Sequence, residues 1–195
     1  PFTAFPLPHI ASLAANRAHV VVSASSTPGF SDSTLFVFDT KNSTETPLSF
    51  DLATSTKIGY GAVTVHGDYI YALSAHACPV GMSCAALDVL FLQDTEIVRV
   101  HSLPLPPTRS ITYAHGYLFV GLRASSMDPE FQVFSLENPE LPVQVGSAEI
   151  GSTVNDIVSN GSTVYIATAD NSIAGDRAVM AFPLSSLNAS MQASM

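Results

Sequence analysis

Tryptophan is absent, charged residues make up 12% of the 195-residue chain, and only seven lysines and arginines stand against sixteen aspartates and glutamates. The cations are scattered, and the formal net charge is −9. Nucleic acids are thereby excluded as partners, because phosphate recognition needs a clustered basic surface. Insertion at an acidic membrane surface is excluded for the same reason. The most apolar stretch, Tyr69 to Leu92, is broken by His76, Cys78, Pro79, Gly81 and Asp88, so no hydrophobic run is long enough to span a bilayer. Recognisable catalytic signatures are missing too: there is no G-x-S-x-G, H-E-x-x-H, P-loop or dinucleotide fingerprint. No cofactor is implied.

Serine and threonine supply about a fifth of the residues, and hydrophobic residues 47%. The chain can therefore bury a core beneath a polar but lightly charged surface, and its length suits a single domain. The first residue is Pro1 and no charged n-region or apolar h-region precedes the mature-looking sequence, as expected if a leader has been removed. Three N-x-S/T sequons, at Asn42, Asn160 and Asn188, fall in turn-like stretches. The two cysteines, Cys78 and Cys84, enclose five residues. That span suits a loop disulfide, whereas a lone pair offers two of the four ligands of a structural zinc. Sequons, few lysines and the cysteine pair together point to a secreted or cell-surface glycoprotein.

Internal repetition is the strongest signal. Four segments place a tight polar turn before a strand rich in aromatic and β-branched residues, and these strands begin at His19, Tyr69, Tyr117 and Thr163, spaced 50, 48 and 46 residues apart. The preceding turns, Asn16-Arg17, His66-Gly67-Asp68, His115-Gly116 and Asn160-Gly161-Ser162, carry the residues that tight hairpins favour. A third strand follows in each unit, at 35–39, 87–92, 131–136 and 178–182, and a fourth in three of them, near 48–52, 96–103 and 143–149. A period near 48 with several short strands fits a propeller blade. The expected fold is all-β, a β-propeller of about four blades or a propeller segment, with short antiparallel strands and minimal helix. Its repeat units run over about 10–57, 58–106, 107–150 and 151–187. The alanine-rich stretch from Ile10 to Ala18 aligns with a first strand and is expected to be one.

The fourth unit lacks an outer strand. The segment Phe2 to Leu7 is a candidate to fill it, closing the ring within the chain, and the alternative is that the terminal segments 1–9 and 188–195 pair with a neighbour and link subunits.

Within the third unit, Phe131 to Ser147 places a strand, the turn Asn138-Pro139 and a second strand in succession, and it resembles the repeat of LVIVD-type β-propeller proteins. The outline is looser at Leu35 to Leu52. The resemblance implies a non-enzymatic, surface-exposed interaction module and transfers no catalytic residue.

The expected function is that of a non-catalytic extracellular module for protein–protein interaction, or for self-assembly into a structural assembly or filament. Its partners would be proteins, copies of itself included, with attached glycans. The alternative is a carbohydrate-binding or hydrolase- or lyase-type propeller with a site at the channel mouth, where the starts of innermost strands hold Tyr60, Arg109, Asn155 and Asp156. Arg109 is the cation of that set, suited to orient a carboxylate or sugar or to pair with Asp156. His66 and His115 occupy equivalent turns of neighbouring units, too far apart to share a metal ion. Asp32, Asp128, Asp170 and Asp176 lie in loops where aspartate stabilises turns through its own backbone.

Overall fold

The computed structural model describes residues 9–25, 33–41, 46–51, 57–76, 84–94, 96–125, 128–168 and 179–185. Fifteen strands make four antiparallel sheets, each a meander of consecutive strands. This is the all-β, four-bladed β-propeller class that the 48-residue period predicts. The chain divides into two compact units, Pro1–Pro107 and Thr108–Met195.

In the first unit, β1 (His9–Ala15), β2 (His19–Ser25), β3 (Thr34–Asp39) and β4 (Leu48–Asp51) form one sheet, and β5 (Lys57–His66), β6 (Tyr69–His76), β7 (Cys84–Leu92) and β8 (Ile97–Leu105) form the other. The alanine-rich start is strand, as the repeat alignment predicts: Leu13 sits opposite Val22 and Ala14 opposite Val21. Val21, Leu35 and Val37 of the first sheet pack on Val63, Val65, Ile70 and Leu90 of the second, all but out of contact with water. Burying a side chain of this size is worth about 1.5–3 kcal/mol. Two hydrogen bonds fasten the sheets beside this core: Val63 N–H donates to Ser12 Oγ at 3.1 Å, and Asn16 Nδ2 to the Gly67 carbonyl at 2.9 Å.

The second unit holds β9 (Thr108–Ala114), β10 (Tyr117–Leu122), β11 (Phe131–Ser135) and β12 (Val143–Ala148), followed by the three-stranded sheet β13 (Val154–Ser159), β14 (Thr163–Thr168) and β15 (Val179–Pro183). Its core is aromatic at the centre. Phe119 stacks on Phe131 with centroids 6.1 Å apart, and Phe131 on Phe182 at 5.9 Å, so one column of rings joins the two sheets.

The four turns that announce the repeat use two chemistries. His115 (φ 50°) and Gly116 (φ 82°) both take the left-handed conformation, which a two-residue type I′ hairpin requires, whereas Gly67 (φ 57°) alone does so before Asp68, the pattern of type II′. The other two turns rely on asparagine. Asn16 Oδ1 accepts from the N–H groups of Ala18 and His19, and Asn160 Oδ1 from those of Ser162 and Thr163, all within 3.0 Å. The same loop closes both, from Asn16 N–H to the His19 carbonyl and from Asn160 N–H to the Thr163 carbonyl. Asparagine's side chain here imitates a backbone carbonyl.

Candidate functional site

At one end of the first unit the strand ends converge on a groove with a volume of about 330 Å³. His19 opens β2, Asp39 closes β3, Leu48 opens β4, Asp68 lies in the β5–β6 turn, and Leu92 to Asp94 leave β7. The hairpin turns fix these positions. Asp68 is held where the Leu92 N–H meets its carbonyl at 2.8 Å, and the Thr40 hydroxyl donates to the Arg17 carbonyl at 2.8 Å, binding the β1–β2 turn to the end of β3.

The apolar residues along the groove are Phe38, Pro47 and Leu48, with Val37 and Leu92 belonging to the buried core beside it. The polar ones are Asp39, Asp68 and Asp94 with Thr46 and Gln93, and no lysine or arginine lines it among the described residues. Asp39 Oδ1 accepts from the Lys41 N–H at 2.7 Å. His19 Nδ1 is buried and has no hydrogen-bond partner. These carboxylates do not gather at one point: among the described residues no three histidine, cysteine or acidic side chains are placed to hold a metal ion.

A second polar feature lies inside the first unit. Tyr60 on β5 and Asp88 on β7 are both wholly buried. The Tyr60 hydroxyl donates to Asp88 Oδ2 at 3.1 Å, the Ser102 hydroxyl to Asp88 Oδ1 at 2.5 Å, and Arg99 Nη1 approaches Oδ2 at 3.9 Å. Burial first, and then the neighbouring Asp88 carboxylate, hold the Tyr60 hydroxyl protonated far above the usual tyrosine range. The Tyr60 backbone is pinned as well: its N–H donates to Ser33 Oγ, and its carbonyl accepts from Ser23 Oγ at 2.7 Å.

The residues expected at a channel mouth fall in both units. Tyr60 belongs to the buried interior of the first unit, whereas Arg109 on β9 and Asn155 and Asp156 on β13 are exposed in the second. Asp156 Oδ1 accepts from the next N–H, Ile157, at 2.9 Å, and no ion pair joins it to Arg109 among the described residues. His66 and His115 belong to different units. Asp128 N–H donates to Ser125 Oγ at 3.0 Å, within its loop. Asp32, Asp170 and Asp176 lie outside the described residues, as do Cys78, Asn42 and Asn188 and the segment Phe2 to Leu7; Cys84 is described by its backbone, in β7. Asn160 is exposed, and its Nδ2 donates to the Tyr165 hydroxyl at 3.3 Å.

Sequence reasoning missed the groove entirely. Asp39, Asp68 and Asp94 stand 29 and 26 residues apart and only the meeting of two sheets brings them together. The one available signal was that Asp39 closes a third strand and Asp68 lies in the first turn of the next repeat.

No family model and no curated protein matches the chain. Solved structures do resemble it. The computationally designed Ika4 protein is similar over 94% of this chain and 95% of its own, with a TM-score of 0.58 and 14% identity. A protein provisionally assigned as a 6-phosphogluconolactonase, from Bacteroides uniformis, is similar over 94% of this chain with a TM-score of 0.64 and 13% identity. A hypothetical selenium-binding protein from Sulfolobus tokodaii is similar over 78% of it, with a TM-score of 0.54 and 13% identity. The chain spans about half the length of these two natural proteins, 55% and 44%. At such identities the likeness is one of fold alone.

Proposed function

We propose that the chain is a non-catalytic, extracellular β-propeller module that joins protein partners, copies of itself included, into a larger structural assembly or filament. The observation that carries this reading is the strand count. Three sheets have four strands and the fourth has three, so that β15 carries no strand on its outer side among the described residues. An open edge offers its backbone donors and acceptors to another chain, and natural proteins blunt such edges with charge. β15 reads Val-Met-Ala-Phe-Pro, without a charged residue, and Val179 is 62% exposed. Only Pro183, at the end of the strand, interrupts the row of donors.

The segment Phe2 to Leu7, which is likewise uncharged, is the candidate for the missing strand. Donated to a neighbouring molecule, it adds a strand to the open edge and links subunits head to tail. The resemblance of Phe131 to Ser147 to an LVIVD-type repeat supports an interaction role, and the sequons and the cysteine pair support a secretory setting.

Light scattering over a concentration series, on the intact chain and on one lacking residues 1–8, tests the reading. The expected outcome is an intact chain whose mass grows with concentration and a truncated chain that is monomeric and folded. A strictly monomeric intact chain overturns it.

A further inference from the structure

We propose that Phe2 to Leu7 pairs with β15 of a second copy in one set register, as the fourth strand of its last sheet, and so brings its own β1 against the bare outer face of that sheet. This rests on the assembly proposed above. An internal repeat fixes the donor's side of the register: Pro6, Leu7, Pro8 and Ser12 recur as Pro104, Leu105, Pro106 and Ser110, and the next strands open at His19 and Tyr117, every pair 98 residues apart. Phe5 to Pro8 thus repeats the end of β8 and its exit. There Pro106 and Pro107 alone carry the chain from the outer strand of one sheet to the first strand of the next, and Pro104 lies within an edge strand, where a missing N–H costs no ladder bond.

The acceptor's side follows from the same comparison, because β14 and β15 repeat β6 and β7: Ala167 faces Val179 as Leu73 faces Leu87, and Tyr165 faces Ala181 as Tyr71 faces Val89. In the four-stranded sheet Leu87 pairs with Leu103, Asp88 with Ser102 and Val89 with His101. Carried over, Phe5 stands opposite Val179, Ala4 opposite Met180 and Thr3 opposite Ala181.

Exposure shows which surfaces await a cover. Leu87 and Val89 are wholly buried, whereas their counterparts Val179 and Ala181 are exposed, Val179 by 62%. Ile111 is 8% exposed, whereas its counterpart on β1, Leu13, is 61% exposed. The bare positions are therefore those that a following sheet would cover on the last sheet, and a preceding sheet on the first. A second copy supplies both, since Pro8 is the one residue between the donated strand and β1. Apolar side chains left in water at each end are buried by the same junction.

Oxidative cross-linking of full-length variants that each add one cysteine, mixed before they are concentrated, tests the register, because a bond between two different variants joins two copies. Phe5→Cys with Val179→Cys, and Thr3→Cys with Ala181→Cys, should each give a covalent dimer on non-reducing electrophoresis, with the linked peptides identified by mass. Directly opposed residues lie within disulfide reach. The shifted pairing, Phe5→Cys with Ala181→Cys, lies beyond it and should lose the dimer. Thermal unfolding verifies that each variant is folded, and the second in-register pair replaces any that is not. Light scattering of the same samples separates the failures. Assembly with the shifted pair linked, or with neither in-register pair linked, overturns the register and leaves the assembly standing. A strictly monomeric chain, or a bond that the double variant Phe5→Cys/Val179→Cys forms within one chain, overturns both.

Discussion

Tyr60 donates its phenolic hydrogen to Asp88 Oδ2 over 3.1 Å, and neither side chain touches water. With Ser102 on the other oxygen, both acceptors of the buried carboxyl group have a donor. Replacing Tyr60 by phenylalanine keeps the ring and removes one donor. The loss should cost about 1–3 kcal/mol, the penalty for leaving a buried acceptor short. Urea unfolding measures it, and a midpoint equal to that of the parent chain would show that the bond contributes nothing.

The same pair predicts behaviour at high pH. Tyr60 has its pKa raised by burial and by Asp88, above the value of about 10 that the unfolded chain would show. Its contribution to stability is therefore complete below pH 10, and falls as pH rises further, because the unfolded state then releases a proton that the folded state keeps. The slope from one such group is about 1.4 kcal/mol per pH unit. Tyr60→Phe should remove that component from the alkaline limb of a stability–pH curve. Absorbance titration near 295 nm should show the parent and the variant ionising equally while folded, with the extra tyrosinate appearing in the parent on unfolding.

Much of the fold was legible because its signals are local. The strands after the four turns begin at His19, Tyr69, Tyr117 and Thr163, where apolar residues follow residues that favour tight turns, and no distant contact is needed to place them. Interior roles were less legible. Asp88 sits between apolar neighbours in β7, and nothing along the chain says that Tyr60, 28 residues earlier, and Ser102, 14 later, supply its donors. The groove was invisible for the same reason, since His19, Asp39, Asp68 and Asp94 meet only when two sheets pack. Tyr60 shows the limit of repeat alignment: alignment places its backbone at the start of a first strand, but the side an aromatic ring faces depends on pleat and on the irregular register between Tyr60 and Ala62.

Gly121 on β10 is a packing requirement rather than a turn. A Cβ at this position would lie 2.5 Å from Val154 Cγ1 and closer still to Ser110 Oγ, between β9 and β13. Those neighbours belong to packed strands and have little freedom to withdraw. Gly121→Ala should destabilise the chain by about 1–3 kcal/mol through overpacking, although alanine is otherwise the better strand residue. Chemical denaturation tests it, and a neutral or stabilising effect would show that the two sheets can part at no cost.

Cys78 and Cys84 are expected to be joined. Five residues separate them, and such a bond persists in the secretory setting proposed above. Peptide mapping without reduction should recover one linked fragment spanning both. Two alkylated thiols in material from a secretory host would remove the bond and weaken the extracellular assignment.

Glu130 is 1% exposed, and its Oε2 accepts from the N–H groups of Ile150 at 2.8 Å and Gly151 at 3.1 Å. Its own carbonyl accepts from Leu122 N–H at 2.8 Å, so the residue is anchored to β10 while it holds the connection from β12 to β13. Gly151 takes φ 76° at that point, a conformation open to glycine without strain, and the chain turns there toward the last sheet. One carboxylate oxygen thus satisfies two backbone donors that no strand pairs. Glu130→Ala leaves both without a partner and should cost about 2–4 kcal/mol, whereas Glu130→Gln keeps a neutral acceptor of the same reach and should cost about half as much. Hydrogen exchange separates this account from a general loss of packing: in Glu130→Ala the amides of Ile150 and Gly151 should exchange faster than those of β11 and β14, by about tenfold or more. If all amides of the second unit accelerate together, or if those two keep the protection they have in the parent, Glu130 is not what holds the turn.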